Sequence, residues 1–221
     1  MPRRRSAPPR PAPAPGAAPA TLRIVGGELR GRKLLYAGDP RVRPMKDRVR
    51  EALFNLVGPS IRGCLAIDLF AGSGAVGLEA LSRGAARALF IEQHYPTASV
   101  LRQNIASLGV GERAEVHVAN AFAFVHAPAG LGPSAVRRLA DLPTQVPWAA
   151  FVSPPWDFFT GRREAMLDLI GGVMDHAPPG SLCVVEADIG FDPALLPEPR
   201  AWNVRRYPPA LVCLFRKPAS H

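Results

Sequence analysis

Apolar runs alternate with amphipathic segments through most of the chain after residue 60. Runs of consecutive apolar residues predict buried strands, and apolar residues that recur every three or four positions predict helices. The strands are expected at 64–70, 88–93, 114–120, 148–153 and 181–188. The helices between them are expected at 75–84, 96–109 and around 161–175. Strands that alternate with helices predict an α/β fold with a doubly wound, mostly parallel sheet.

The end of the chain departs from this alternation. Residues 203–207 and 210–217 predict a hairpin that turns at Pro208 and Pro209, which adds one antiparallel strand at the end of the sheet. The connection 127–147 is long, polar and rich in proline, and it contains at most one helical turn at 134–142. No role is assigned to this connection.

Two further elements precede the alternation. Residues 22–37 predict two short strands around Gly26 and Gly27, and hence a basic β-hairpin. Residues 45–58 predict a helix whose apolar face, which includes Val49, Leu53, Leu56 and Val57, packs on the domain. The charged residues of this helix are expected to point largely away from that face; they are Arg48, Arg50 and Glu51.

Basic charge is concentrated at the beginning of the chain. The formal net charge is +9, and residues 1–50 contain 13 Lys or Arg against three acidic residues. Residues 51–221, with 14 basic and 15 acidic residues, are nearly neutral. A localised basic segment favours a polyanionic partner, because neutralising phosphates releases counterions. Residues 1–20, with seven Pro and four Arg, predict a disordered arm.

Composition excludes several classes of protein. The three cysteines have neither metal-binding nor redox spacing, which is typical of a reducing cytosol. No apolar stretch reaches the roughly 20 residues that a membrane helix needs, and the N-terminus lacks the apolar core of a secretory signal. The five histidines show no paired spacing, so no metal is expected. The chain is therefore predicted to be cytoplasmic and not to enter a membrane. A monomer is expected.

A glycine-rich segment follows the first long strand. In DLFAGSGAVG, Gly72, Gly74 and Gly77 form a G-x-G-x-x-G pattern between a strand and a helix, where a ligand can approach backbone N–H groups. The pattern fits both NAD enzymes and S-adenosylmethionine (SAM) methyltransferases, and Glu92 after the next strand would contact ribose hydroxyls in either class. Glu79, on the helix after the loop, is expected to be solvated or to interact with the helix dipole.

Two other features distinguish these classes. Asp68 lies just before the loop, where a carboxylate would repel a pyrophosphate but could bind the ammonium group of SAM, directly or through water. The fourth strand ends in Ser153-Pro154-Pro155-Trp156. Because ligands bind at the carboxyl ends of such strands, Asp68, Glu92, Asn120 and Ser153 are expected to converge on one crevice.

The SPPW segment suits the methylation of an exocyclic amine. Two consecutive prolines restrict the backbone and leave the Pro154 carbonyl as a fixed hydrogen-bond acceptor, with the Ser153 hydroxyl as a second one. These acceptors would draw the amine nitrogen toward tetrahedral geometry. Trp156 offers a face on which a flipped base can stack. By itself, SPPW favours a rigid turn with a packed Trp, but its place at the end of the fourth strand, after the glycine loop, favours the amine site.

Together these motifs resemble a known family. The run RIVGG, RGRKL, RPMKDRVREALFNL, IDLFAGSGAVGLEALSRGA, FIE, NA and SPPW is similar to the bacterial 16S rRNA guanine-N2 methyltransferase family of the RsmD type. The resemblance covers about residues 22–217, and its most specific part is the hairpin, helix and glycine-loop block. It implies a Rossmann-like, seven-stranded SAM-dependent methyltransferase that modifies a guanine of 16S rRNA in small ribosomal subunit particles.

The resemblance also implies roles for individual residues. The SAM-binding residues would be Asp68, Phe70, Gly72, Ser73, Gly74, Gly77, Glu92, Asn120 and Ala121, with the last two at the adenine. The residues that hold the target amine would be Ser153, Pro154, Pro155 and Trp156. The RNA-binding residues are expected in the basic hairpin, next to the site, and after it: Arg23, Arg30, Arg32, Lys33 and Arg43. The expected division is an arm at 1–20, an RNA-facing hairpin and helix at 21–58, and a methyltransferase domain at 59–221.

The sequence departs from the family pattern at three places. Ser153 replaces the usual Asp or Asn, Met45 replaces the Thr of an RPT motif, and the 127–147 connection is longer than usual. Two alternatives therefore stay open. One is another amino-methyltransferase, such as an adenine-N6 enzyme or one that modifies a protein glutamine, and the other is a catalytically inactive RNA-binding relative.

Overall fold

The computed structural model describes residues 22–36, 45–126 and 138–219. In this part of the chain the strands are β1 (Leu65–Asp68), β2 (Arg87–Ile91), β3 (Ala114–His117), β4 (Trp148–Val152), β5 (Leu182–Asp188), β6 (Trp202–Tyr207) and β7 (Ala210–Arg216). They form one sheet in the order β3-β2-β1-β4-β5-β7-β6. Neighbouring strands from β3 to β5 are parallel, and β7 is antiparallel to both β5 and β6. The predicted sheet is confirmed.

Helices cover both faces of the sheet. They are α1 (Asp47–Val57), α2 (Ala75–Ser82), α3 (Tyr95–Leu108), α4 (Ala121–His126), α5 (Phe158–Gly161) and α6 (Arg163–His176). One apolar cluster joins α1, α2, α3 and the segment 22–36 to one face of the sheet, and a second joins α4, α5 and α6 to the other. With helices on both faces, all four residues of β1 are buried. Among the residues described, no helix combines the length and the hydropathy that a bilayer crossing requires.

The order of the strands places a crevice at one edge of the sheet. From β1 the chain moves outward to β2 and β3, and it then returns to pair β4 with the other side of β1. In open α/β sheets a ligand binds at such a reversal, outside the carboxyl ends of the strands. The loops after β1 and β4 should therefore bound the site.

The N-terminal segment forms a shorter hairpin than predicted. In place of two strands it has one antiparallel bridge, between Arg23 and Lys33, and a turn over 27–31. The backbone N–H of Glu28 donates to the Ser82 carbonyl at 2.8 Å, so part of the segment bonds to α2 rather than to itself. A Cβ on Gly27 would lie 1.9 Å from that carbonyl oxygen, and only glycine permits this close approach.

The helix at 45–58 is confirmed, but the prediction for Arg50 is wrong. Arg50 is fully buried, and its guanidinium donates to Asp47 Oδ1 at 2.9 Å and lies 3.5 Å from Glu79 Oε2. Glu79 is also fully buried rather than solvated, and it accepts hydrogen bonds from Val25 N–H at 2.8 Å and Arg83 Nε at 2.7 Å. Each charge has a partner from another segment, which makes its burial tolerable.

Candidate active site at the carboxyl edge of the sheet

A cavity of about 330 Å³ opens at the carboxyl ends of the parallel strands, which is the size class of small-molecule sites. Its walls come from the start of α1 and from the loops after β1, β2, β3 and β4. The predicted residues that line it are Asp68, Phe70, Gly72, Ser73, Glu92, Asn120, Ala121, Ser153, Pro154, Pro155 and Trp156. The structure thus brings the glycine loop and the SPPW segment into one cavity.

Asp68 is the most buried acid of the cavity, at 1% exposure. Burial raises the pKa of its carboxyl group to about 7, and the neighbouring Glu92 charge adds to the rise, whereas hydrogen bonds from the Gly77 and Phe70 backbones lower it. The bond from Gly77 N–H is 3.0 Å long. Asp68 therefore fixes the loop, and a cation bound in the cavity would favour its ionised form.

The three glycines of the loop have different surroundings. Gly72, with φ +52°, lines the cavity. Gly74 and Gly77 lie outside the cavity wall, where a Cβ would lie 2.2 Å from Leu101 Cδ1 and 2.3 Å from Phe90 Cε1, respectively. Those two glycines permit the close packing of α2, while the first lets the backbone reach a ligand.

Glu92 follows β2 and faces the same loop. Its two carboxylate oxygens accept hydrogen bonds from the backbone N–H groups of Gly72, at 2.9 Å, and His94, at 2.7 Å. Each carboxylate oxygen has a further lone pair. Glu92 can therefore order the loop and still accept hydrogen bonds from the hydroxyls of a ligand.

Three phenylalanines form an aromatic wall in the cavity. The ring centroids of Phe70, Phe122 and Phe158 lie 6.1 to 6.2 Å from one another. Asn120 supports this wall, because its Oδ1 caps α4 by accepting from Phe122 N–H at 2.9 Å. Phe122 and Phe158 were not predicted, since the short helices α4 and α5 that bear them leave little periodic signal. The wall suits a flat heteroaromatic ring.

The SPPW segment turns directly out of β4 into α5. The Pro155 carbonyl accepts from Phe158 N–H at 3.0 Å, and the Trp156 carbonyl accepts from Phe159 N–H at 3.1 Å. Within the described part of the chain, the Pro154 carbonyl has no hydrogen-bond partner, so it is available to a ligand. Trp156 is half-buried at the cavity wall, where an aromatic face can meet a base.

Glu186 is a cavity residue that the sequence analysis missed. It lies near the end of β5, is 8% exposed and lines the cavity. Burial raises the pKa of its carboxyl group to about 7, although a hydrogen bond with the Ser153 side chain lowers it in part. Because the carboxyl ends of neighbouring parallel strands converge, the polar residues near the end of β5 belong to the same crevice as Asp68 and Glu92.

The predicted RNA-binding residues that the structure describes lie outside the cavity wall. Arg23, Arg30, Arg32 and Lys33 are exposed, and none of them lines it. The turn at 27–31 bonds to the last residue of α2, and α2 runs from the cavity to the opposite edge over about 12 Å. The expectation that the whole basic hairpin lies next to the site is therefore wrong for its tip. Arg43 and the arm at 1–20 lie outside the described residues.

The donor set of the cavity fits SAM. Asp68 matches an ammonium group, Glu92 matches hydroxyls, and the phenylalanine wall matches a purine. Within the described ranges, no cluster of three or more His, Cys, Asp or Glu is placed to hold a metal ion.

Comparisons with known sequences match most of the chain. The family model described as conserved hypothetical protein 95 matches residues 22–134. The ribosomal RNA small subunit methyltransferase D of Escherichia coli (strain K12) is 38% identical over 188 residues, which cover 84% of this chain and 83% of that protein.

Solved structures support the same fold. A protein from Escherichia coli superposes with a TM-score of 0.66 and 32% identity, covering 91% of this chain and 100% of that chain. An RNA methyltransferase from Salinibacter ruber in complex with S-adenosyl-L-homocysteine has a TM-score of 0.52 and 15% identity over 81% of this chain and 96% of that chain. At 15% identity the likeness shows the fold alone.

Proposed function

The chain belongs to the conserved hypothetical protein 95 family, and we propose that it uses SAM to methylate the exocyclic N2 amine of a guanine in 16S rRNA. The resemblance that the sequence motifs indicate is confirmed by the 38% identity to the Escherichia coli ribosomal RNA small subunit methyltransferase D. The observation that carries the proposal is the single cavity that holds Asp68, Glu92 and the SPPW segment together.

The cofactor is proposed to lie between the loops after β1, β2 and β3. Asp68 would attract its ammonium group, Glu92 would accept its ribose hydroxyls, and Phe70 with Phe122 would flank its adenine. When bound, SAM supplies an electrophilic methyl group on a positively charged sulfur. The buried floor of the cavity keeps bulk water away from the reacting atoms, since Asp68 and the neighbouring strand ends are almost fully buried.

The target base is proposed to lie against the SPPW segment. The Ser153 hydroxyl and the Pro154 carbonyl each accept one N–H of the exocyclic amine, and this pair of bonds orients the nitrogen lone pair toward the methyl group. Trp156 stacks on the flipped base, which contributes about 1–3 kcal/mol. Positioning and acceptor groups thus replace a strong base at the nitrogen.

The RNA partner is proposed to extend from the cavity toward the tip of the hairpin. Arg30 and Arg32 are exposed at the far end of α2, about 12 Å along that helix from the cavity. Phosphates on either side of the flipped nucleotide would reach these cations, so the hairpin contributes affinity rather than base recognition. The proposed partner is 16S rRNA in small ribosomal subunit particles.

The proposal is tested with purified protein and small-subunit particles that lack the modification. We expect transfer of a labelled methyl group from SAM, with N2-methylguanosine as the only labelled nucleoside after digestion. Exposed Asp175 lies on α6, far from the cavity, so Asp175→Asn should retain full activity. N6-methyladenosine as the product would favour the adenine enzyme, and SAM and RNA binding without transfer would favour an inactive relative.

A further inference from the structure

Glu186 and Ser153 are direct neighbours at the carboxyl edge of the sheet. Val152 of β4 is in register with Val185 of β5, so the residues that follow them, Ser153 and Glu186, lie beside each other. The side chains of Ser153 and Glu186 therefore lie on the same face of the sheet, and both line the cavity. An interaction with the Ser153 side chain lowers the pKa of the Glu186 carboxyl group. Nothing in the proposed roles of Ser153, Pro154 and Trp156 uses this carboxyl group.

The carboxyl group of Glu186 is surrounded mostly by uncharged groups. Its partner in register on β7 is Val212, and β4 contributes no charged residue. Lys46 precedes the helix α1, which packs on this face of the sheet, and Asp47 and Arg50 lie in α1 and pair with each other at 2.9 Å. The other titratable side chains that line the cavity are Lys46, Asp68, Glu92 and His94.

We propose that Glu186 receives, through the Ser153 hydroxyl, the proton that the target amine loses on methylation. This inference rests on the proposed function. A serine hydroxyl alone is a poor proton acceptor, because its own proton must leave at the same time. A carboxylate on the far side of the hydroxyl takes that proton, and the same bond directs the Ser153 lone pairs toward the amine.

The step balances in atoms and charge. As the amine nitrogen bonds to the methyl carbon, the carbon–sulfur bond breaks and its electron pair stays on sulfur, which becomes the neutral sulfur of S-adenosylhomocysteine. The nitrogen, now with an excess proton, gives that proton to Ser153 Oγ while the Ser153 hydroxyl proton passes to a Glu186 carboxylate oxygen. Glu186 is then neutral, and it returns to the carboxylate by releasing the proton to solvent.

The first test needs no catalysis. The Glu186 carboxyl carbon is followed by NMR in protein labelled with 13C at glutamate, between pH 4 and pH 9, in the wild type and in Ser153→Ala. We expect a midpoint near pH 7 in the wild type and a higher midpoint in Ser153→Ala, because the variant loses the hydrogen bond that lowers this pKa. Equal midpoints would show that the two side chains are not coupled and would overturn the proposal.

The second test measures single-turnover methyl transfer as a function of pH. Glu186→Gln keeps a carbonyl oxygen to accept from Ser153 but takes up no proton, so we expect a rate about tenfold to a hundredfold lower at pH 8. The wild-type rate should rise through pH 7, and that rise should be absent in Glu186→Gln. Asp175→Asn is the matched control and should retain both the rate and the pH profile.

A double variant separates a relay from two independent contributions. If Glu186 acts through Ser153, then Glu186→Gln should lower the rate of Ser153→Ala by less than twofold. Full rate and an unchanged pH profile in Glu186→Gln, beside an active wild type, would overturn the relay but leave the proposed function intact. A wild type that methylates no small-subunit rRNA would overturn the proposed function, and the relay with it.

Discussion

The carboxylate of Asp68 at the end of β1 accepts a hydrogen bond from the backbone N–H of Gly77 in the first turn of α2, at 3.0 Å. The contact closes the glycine loop from inside, where the carboxylate is 1% exposed. The proposed ligand ammonium group and the loop backbone therefore share one acceptor. The affinity for SAM should depend on the charge of the Asp68 carboxyl group. The shape of the loop should depend only on the oxygen atom of Asp68 that accepts the hydrogen bond.

The affinity for SAM should rise with pH. The pKa of Asp68 lies near 7 in the ligand-free protein, so the carboxyl group is mostly protonated at pH 6 and mostly ionised at pH 8. Because only the ionised form attracts an ammonium group, calorimetry should give roughly fivefold tighter binding at pH 7 than at pH 6, a range in which the ammonium group of the ligand stays mostly protonated.

Asp68→Asn provides the control for this pH dependence. The amide oxygen can still accept from Gly77 N–H, so the thermal unfolding midpoint should change little while the affinity for SAM falls roughly tenfold to a hundredfold at pH 8. The pH dependence should then be lost. If Asp68→Asn binds SAM as tightly as the wild type does, the ammonium group is held elsewhere.

Gly77→Ala should destabilise the protein through packing rather than through ligand contact. The added Cβ would lie 2.3 Å from the Phe90 ring, and such overpacking costs about 1–3 kcal/mol. Chemical denaturation measures the loss. Gly111→Ala, with no neighbouring atom within 4 Å of the added Cβ, is the control and should change stability little. Introducing Phe90→Leu together with Gly77→Ala should restore part of the lost stability, because the smaller side chain makes room for the added Cβ. If the losses of stability from the two substitutions simply add, the packing account is contradicted.

Glu79→Gln should lower the stability of the protein more than the similar size of the two side chains suggests. Glu79 is fully buried against the equally buried Arg50 and also holds Arg83 at 2.7 Å. Removing one charge from a buried network leaves the others uncompensated and costs about 3–5 kcal/mol. Denaturant titration of Glu79→Gln beside Glu51→Gln, an exposed acid on α1, checks this. Equal stabilities of the two variants would show that the network is dispensable.

The double variant Arg30→Glu, Arg32→Glu should weaken RNA binding without affecting SAM. Both side chains are exposed at the tip of the hairpin, and neither lines the cavity. Each phosphate contact that is lost should reduce the slope of log K against log salt by about 0.7 for single-stranded RNA. The exposed residues Arg200 and Arg205 lie just before and on β6, an edge strand of the sheet, and their charge reversal serves as the control. Unchanged RNA affinity in the hairpin variant would exclude the hairpin from the interface.

The elements of the sheet and most of the cavity followed from local pattern. Apolar runs mark strands whose two faces are covered by helices, and the polar residue after each run marks the edge where the strands converge. Asp68, Glu92 and Ser153 were identified in this way, and all three line one cavity. These signals are readable because each lies within a few residues of a strand end.

The residues that the pattern misplaced depend on contacts between distant segments. Arg50 and Glu79 are charged, so periodicity places them in solvent, and only the folded chain shows that each meets the other 29 positions away. The hairpin strands were overpredicted for a similar reason, because the Ser82 carbonyl and hydroxyl take hydrogen bonds that a longer strand pair would have used. Phe122 and Phe158 lie on helices that are too short to show a helical periodicity of apolar residues.

The most direct test of the central claim is nucleoside analysis of 16S rRNA from a strain that lacks the gene for this chain. We expect one N2-methylguanosine to disappear on deletion, to return when the wild-type gene is supplied, and to return with Asp175→Asn but not with Asp68→Asn. Full retention of every N2-methylguanosine in the deletion strain would contradict the account. The loss of a different methylated base instead of N2-methylguanosine would contradict it as well.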